Sequence, residues 1–191
     1  EGLGFGTRFS DHMFLMDHAQ GTGWRDARIV PYGPLPVFPT AVVLHYAQEV
    51  FEGLKAYYAK DGSLCLFRPE MNARRMNRSA ARLCMPEVPV ADQLQAIRAI
   101  VRTDRDWVPR DRGASLYIRP AMIATEAVLG VRPSAEYLFF VVTGPVGAYY
   151  ARGFDPVRLL VEEKDVRAAR GGLGEAKTGA NYAASLLAAS V

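Results

Sequence analysis

Gly171-Gly172-Leu173-Gly174-Glu175-Ala176-Lys177-Thr178-Gly179-Ala180-Asn181-Tyr182 sets one lysine among four glycines, with a glutamate two residues before it and a tyrosine five after. Glycine lets a backbone take positive φ and approach a ligand closely, so a lysine held there can be presented to a small molecule. Two chemistries use such a lysine. A phosphate-binding P-loop requires G-x-x-x-x-G-K-[ST], and Gly171 to Thr178 fits except that Ala176 stands where the second glycine belongs. A Schiff-base enzyme requires an amine that loses its proton near neutral pH, which burial and cations such as Arg167 or Arg170 promote. An ordinary surface lysine in a glycine-rich loop is the third reading. The preceding Asp165-Val166-Arg167-Ala168-Ala169-Arg170 is charged, with no buried strand of the kind a P-loop leaves.

The 191 residues are about half hydrophobic and 23% charged, a globular composition that leaves room for a substantial core. Net charge is +3, but the arginines are scattered rather than gathered with aromatics, which argues against nucleic acid. Apolar runs such as Tyr137 to Thr143 fall far short of the roughly 20 residues of a membrane helix, and Glu1-Gly2-Leu3-Gly4-Phe5 has no signal-peptide character. Cys65 and Cys84 are isolated and read as buried free thiols in a reducing compartment, hence the cytoplasm. His12, His18 and His45 lack ligand spacing, so no metal site is expected. From Tyr182 the chain is apolar and helix-forming and reaches Val191 without a cap, which predicts a natural chain that continues well beyond.

Outward from the lysine, Val157 to Val161 predicts a strand, and Ala151 to Pro156 a linker after a chain break at Gly144-Pro145-Val146-Gly147. Strands are predicted at His12–Asp17, Ser115–Ile118 and Tyr137–Thr143, with Gly21-Thr22-Gly23 a turn toward Ala27–Val30. Leu54–Tyr58 and Leu64–Phe67 flank the turn chemistry of a hairpin, and the prolines between Pro31 and Pro39 make an extended connector. Ala41 to Phe51 reads equally as strand or helix. Pro69 suits a first helical turn, with Met76, Ala80, Leu83 and Cys84 on one face before Pro86 ends the run. Asp92 can cap a second helix in which Leu94, Ile97, Ile100 and Val101 recur at helical spacing.

Taken together, Phe51-Glu52-Gly53-Leu54-Lys55-Ala56-Tyr57, Leu66-Phe67-Arg68-Pro69 with Asn72, Arg75, Ser79 and Arg82-Leu83-Cys84-Met85-Pro86, Asp106-Trp107-Val108-Pro109, Ser115 to Pro120, Leu129-Gly130-Val131, Pro145 to Tyr149 and the lysine loop resemble the branched-chain amino acid aminotransferases. These are fold type IV pyridoxal phosphate enzymes, and the resemblance runs from about Phe5 to Leu187. It implies an α+β, two-domain architecture: 1–150 an N-terminal α/β domain, 151–156 an interdomain linker and 157–191 the beginning of the C-terminal cofactor-binding domain.

The resemblance also implies roles. Lys177 corresponds to the lysine that forms the internal aldimine with pyridoxal 5'-phosphate and, once displaced by substrate, moves the proton between Cα and C4′. Arg75 corresponds to the arginine on the cofactor phosphate, Tyr182 to the tyrosine on its phenolic oxygen, and Arg167 to a further arginine of that region. Tyr117 corresponds to the hydroxyl near the substrate carboxylate, Phe5, Tyr46, Phe51 and Tyr149 to the side-chain pocket, and Arg119, with Tyr46 close by, to the acceptor of glutamate's second carboxylate. In the family, residues matching Leu129 and Val131 enter the active site from a partner subunit, implying a homodimer. The acidic partner of the pyridine nitrogen falls, in the family, beyond residue 191, so this stretch alone is expected to bind cofactor poorly. The implied reaction is transamination of leucine, isoleucine or valine with 2-oxoglutarate by ping-pong exchange. The rivals are a D-amino acid aminotransferase or aminodeoxychorismate lyase of the same fold, a P-loop protein using Lys177 and Thr178, and a non-catalytic remnant.

Overall fold

A computed structural model describes residues 3–147, 155–159 and 161–190. Its strands are β1 (His12–Ala19), β2 (Gly23–Pro31), β3 (Glu49–Phe51), β4 (Leu54–Tyr58), β5 (Leu64–Leu66), β6 (Ser115–Ala124) and β7 (Glu136–Val146). They form one antiparallel sheet in the order β2-β1-β7-β6-β4-β5, with β3 beside β4 on the same edge of β6. Helices α1 (Val42–Tyr46), α2 (Pro69–Arg82), α3 (Val90–Thr103), α4 (Gly179–Ala183) and α5 (Leu186–Ala189), with one 3-10 turn at Arg105–Trp107, complete the described elements.

Successive side chains of a strand point to opposite faces, and β6 uses this fully. Leu116, Ile118, Met122 and Ala124 are completely buried with Phe139, Val50, Met76, Ile97 and Ile100 in the main core, under α2 and α3. The intervening Tyr117 and Arg119 therefore share the other face. On that face Met13, Leu15 and Leu138 make a smaller buried cluster bordered by Phe140 and Val142. The helices fit their stripes: α2 starts with Pro69 in its first turn and buries Ala73, Met76, Asn77 and Ala80, while α3 buries Gln93, Ala96, Ile97 and Ile100.

Between β3 and β4 the strand is interrupted at Glu52-Gly53, and the cause lies across the ladder in Pro120. The Pro120 carbonyl accepts from Glu52 N–H at 2.8 Å. In an antiparallel ladder a residue's two backbone groups point to the same neighbour, so the N–H that proline lacks is missing on this side. The break leaves the buried Glu52 carboxylate accepting four hydrogen bonds: Gly53 N–H at 3.1 Å, Asn72 Nδ2 at 2.9 Å, and Arg75 Nε and Nη2 at 2.5 and 2.8 Å.

Several expectations are corrected. The predicted break at Gly144-Pro145 lies inside β7, which runs to Val146. Thr143 O accepts from Ser10 N–H on the β1 side, so by alternation Pro145 also presents its missing N–H away from β6, and that ladder loses nothing. Cys65 and Cys84 are free but exposed: Cys65 points outward between Leu64 and Leu66 on edge strand β5, and Cys84 lies beyond the end of α2 at φ 54°. Asp92 sits in the first turn of α3, which begins after Pro89; it faces the helix dipole without capping it. The strand predicted at Val157–Val161 is absent at 157–159 and 161, where Val157, Leu159 and Val161 are exposed and no neighbouring strand among the described residues pairs with them. A strand without a neighbour leaves its backbone groups unpaired. Ala41–Phe51, open between two forms, contains both: α1, then a reversal at Ala47 (φ 50°), then β3. No helix among the described residues is long and apolar enough to cross a membrane.

Ile118→Ala, emptying a fully buried site between two strands, is expected to cost about 2–5 kcal/mol in denaturant unfolding. Glu52→Ala strands four donors, but Arg75 is 47% exposed and partly resolvated, so a smaller loss of about 1–3 kcal/mol is expected in the same assay.

Candidate active site

The lysine loop is fastened at both backbone groups of Lys177, to helix α2 on one side and to the sheet on the other. Its N–H donates to Ser79 Oγ of α2 at 2.9 Å, and its carbonyl accepts from Phe51 N–H of β3 at 3.0 Å. Within the loop, Asn181 Nδ2 donates to the carbonyls of Leu173 (2.5 Å) and Ala176 (2.6 Å), and Arg82 Nη2 donates to those of Gly171 and Gly172. Thr178, fully buried, precedes α4, and its hydroxyl and the Gly179 N–H both donate to Glu49 Oε1. A Cβ on Gly179 would strike that carboxylate. Burial pushes the Glu49 carboxyl above its usual range, while the Gly179 and Thr178 hydrogen bonds and the Arg119 charge pull it part of the way back.

These fastenings direct the amine. Lys177 Nζ donates to Tyr182 Oη at 2.5 Å and lies 4.4 Å from the centroid of Phe51 and 4.7 Å from that of Tyr182, whose rings are 5.0 Å apart. Arg75 stands nearby: the Glu52 hydrogen bonds hold its guanidinium more firmly protonated than usual, with Tyr182 contributing in the same direction. A primary amine and a phenol thus meet directly, and the charge of a locked guanidinium is felt by that phenol.

On the open face of β6, Tyr117 and Arg119 line a cleft of about 420 Å³ with Phe5, Arg8, Phe9 and Val142. Arg119 Nη2 donates to Tyr117 Oη at 3.0 Å, its guanidinium lies 4.6 Å from the Phe51 centroid, and its Nε is buried with no hydrogen-bond partner among the described residues. The Tyr117 ring meets Phe5 edge-on at 5.0 Å, and its hydroxyl occupies the space a Cβ on Gly53 would need. A cleft walled by aromatics and lined by the guanidinium side chains of Arg8 and Arg119 suits a small anion with an apolar body.

Phe51, Tyr117, Arg119, Lys177 and Tyr182 are therefore linked through short contacts, Phe5 joins them through Tyr117, and Arg75 is tied to Glu52, the residue after Phe51. Tyr46 is placed elsewhere. Its hydroxyl donates to Leu129 O at 2.6 Å, and with Val131, Leu173 and Ala180 it lines a separate cavity of about 400 Å³. Leu129 and Val131 are 58% and 84% exposed, which leaves both free to meet other surfaces. Arg167 is exposed without a hydrogen bond or ion pair among the described residues, and Tyr149 lies outside them. Glu49, Glu52 and Ser79 received no role from the sequence. Glu52 and Ser79 stand inside the family-like motifs, and Glu49 could have been found as the residue two before Phe51 once β3 was known to be a strand.

No family model matches the chain. Two curated relatives are the probable branched-chain-amino-acid aminotransferase of Streptomyces coelicolor, 55% identical over 97% of this chain and 51% of its own length, and branched-chain-amino-acid aminotransferase 2 of Bacillus subtilis, 51% identical over 99% and 52%. The chain spans about half the length of these relatives. Among solved structures, the branched-chain aminotransferase of Thermoproteus uzoniensis with norvaline superposes with TM-score 0.72 at 22% identity, over 95% of this chain and 55% of its own. The branched-chain amino acid aminotransferase of T.th. complexed with N-(5'-phosphopyridoxyl)-L-glutamate gives 0.67 at 26%, over 92% and 53%. With a fold of that type and half-identical sequence over nearly all its residues, the chain belongs to the branched-chain-amino-acid aminotransferase family.

Proposed function

We propose that the full-length protein transfers the amino group of leucine, isoleucine or valine to 2-oxoglutarate through pyridoxal 5'-phosphate bound as a Schiff base on Lys177, with ping-pong exchange between donor and acceptor. The observation that carries this is the Lys177 amine, held between the Tyr182 hydroxyl and the Phe51 ring, with the Arg75 charge acting on that same tyrosine. These donors fit the group: an amine for an aldehyde, a phenol for a phenolic oxygen, and a guanidinium for a phosphate. Bound there, pyridoxal phosphate supplies an electron sink that lets the substrate Cα lose its proton.

The chain's own residues do the rest. Lys177 holds and returns that proton, its reach limited by Tyr182 on one side and the backbone bonds to Ser79 and Phe51 on the other. Tyr117 and Arg119, which line the cleft together, receive the carboxylates. Phe5, Phe51 and Tyr149 wall the aliphatic side chain, and Arg167 supports the cofactor region; Tyr46, on a separate cavity with Val131, acts there through its bond to Leu129. Exposed Leu129 and Val131 complete the site of a second copy, making a homodimer. The domain plan is 1–150 and 157–191 joined at 151–156, and two unpaired exposed thiols suit the cytoplasm.

In the full-length protein, Lys177→Ala is expected to abolish the visible absorption of the cofactor linkage and to lower turnover of leucine with 2-oxoglutarate by about 10²–10⁴-fold. Normal turnover, or consumption of D-alanine in place of leucine, overturns the reading. Arg119→Ala is expected to lower kcat/KM for 2-oxoglutarate roughly 10- to 100-fold, from one lost charge-assisted hydrogen bond, with a smaller effect on leucine.

A further inference from the structure

Glu49 is a half-buried carboxylate inside an apolar strand, and the roles of its neighbours leave it unused. Its position follows from β3: Glu49 and Phe51 pair with Ile123 and Ala121, so both project to the face that carries Tyr117 and Arg119. There Oε1 accepts from the Gly179 N–H and, at 3.4 Å, from Thr178 Oγ1. Those two donors stand on either side of the turn from Lys177 into α4, the short helix that carries Tyr182. Thr178 is itself fully buried, so its hydroxyl finds its partner in Glu49 or none among the described residues. Ser79 and Phe51 thus hold the backbone of Lys177 itself, while Glu49 holds the two residues that follow it and meets the first residue of the helix of Tyr182.

We infer that Glu49 is a positioning residue: by accepting from Thr178 and Gly179 it sets the turn that keeps the Lys177 amine on the Tyr182 hydroxyl. The acceptor oxygen does this, rather than the charge, so a glutamine substitutes for it and an alanine does not. This rests on the reading of Lys177 as the reacting amine.

The test compares Glu49→Gln and Glu49→Ala in the full-length protein by two readouts. The first is acylation of Lys177 in cofactor-stripped protein, measured by mass spectrometry against exposed Lys60 on the β4–β5 turn. Glu49→Ala is expected to raise the relative rate at Lys177 about threefold or more as the turn opens locally, with Glu49→Gln near wild type. The second is steady-state kinetics, where Glu49→Ala is expected to lower kcat about 10- to 100-fold with a much smaller change in KM for leucine, and Glu49→Gln to restore it. An unchanged Lys177 rate in Glu49→Ala overturns the proposal. So does a Glu49→Gln protein as impaired as Glu49→Ala, or acylation that rises equally at Lys55 on β4, the sign of general loosening. Failure of the transaminase reading itself shows separately, as turnover surviving Lys177→Ala, and leaves the acylation comparison to judge Glu49.

Discussion

The structure depends on the twofold alternation of one long strand. Along β6, every even residue from Leu116 to Ala124 serves the packing under α2 and α3, apart from Pro120, which breaks the neighbouring strand. The odd residues Tyr117 and Arg119 are left to the opposite face. A shift of register by one residue would exchange the two sets, placing a guanidinium in the core and isoleucine in the cleft. The same atoms that make the fold stable therefore make the site's orientation obligatory.

Two carboxylates three residues apart divide the work of joining elements that are distant in sequence. Glu52 reaches α2 through Asn72 and Arg75, and Glu49 reaches the lysine loop through Thr178 and Gly179. Phe51, between them, supplies a ring to both the lysine and Arg119 while its N–H holds the Lys177 carbonyl. Burial raises the cost of the Glu49 charge, and Arg119 together with the two hydrogen bonds offsets part of that cost.

Much of this was legible in the sequence. The glycine-flanked lysine, the Pro69 helix start and the stripe through Met76 and Ala80 each follow from local chemistry, and the structure bears out both helices and the hairpin. The errors came where a long-range partner decided. Gly144-Pro145 looks like a breaker until the direction of its missing N–H is known, and Val157–Val161 looks like a strand until 157–159 and 161 are seen to have no pairing neighbour among the described residues. Cys65 alternates outward on an edge strand that the hairpin pattern predicted without showing its orientation. The network around Glu49 and Glu52 was hidden for a related reason. Its donors come from residues up to 130 positions away, which no local pattern records.

The lock between Glu52 and Arg75 has a consequence for ligand capture. An arginine free in solvent must surrender the freedom of several rotatable bonds when it grips a phosphate, a cost of order 0.5–1.5 kcal/mol for a side chain of that kind. Here two bonds to a buried carboxylate have already stopped that motion when the polypeptide folds. In the phosphate-binding role proposed for Arg75, the ligand would meet a stationary donor, and the entropy of ordering it would be charged to folding rather than to association.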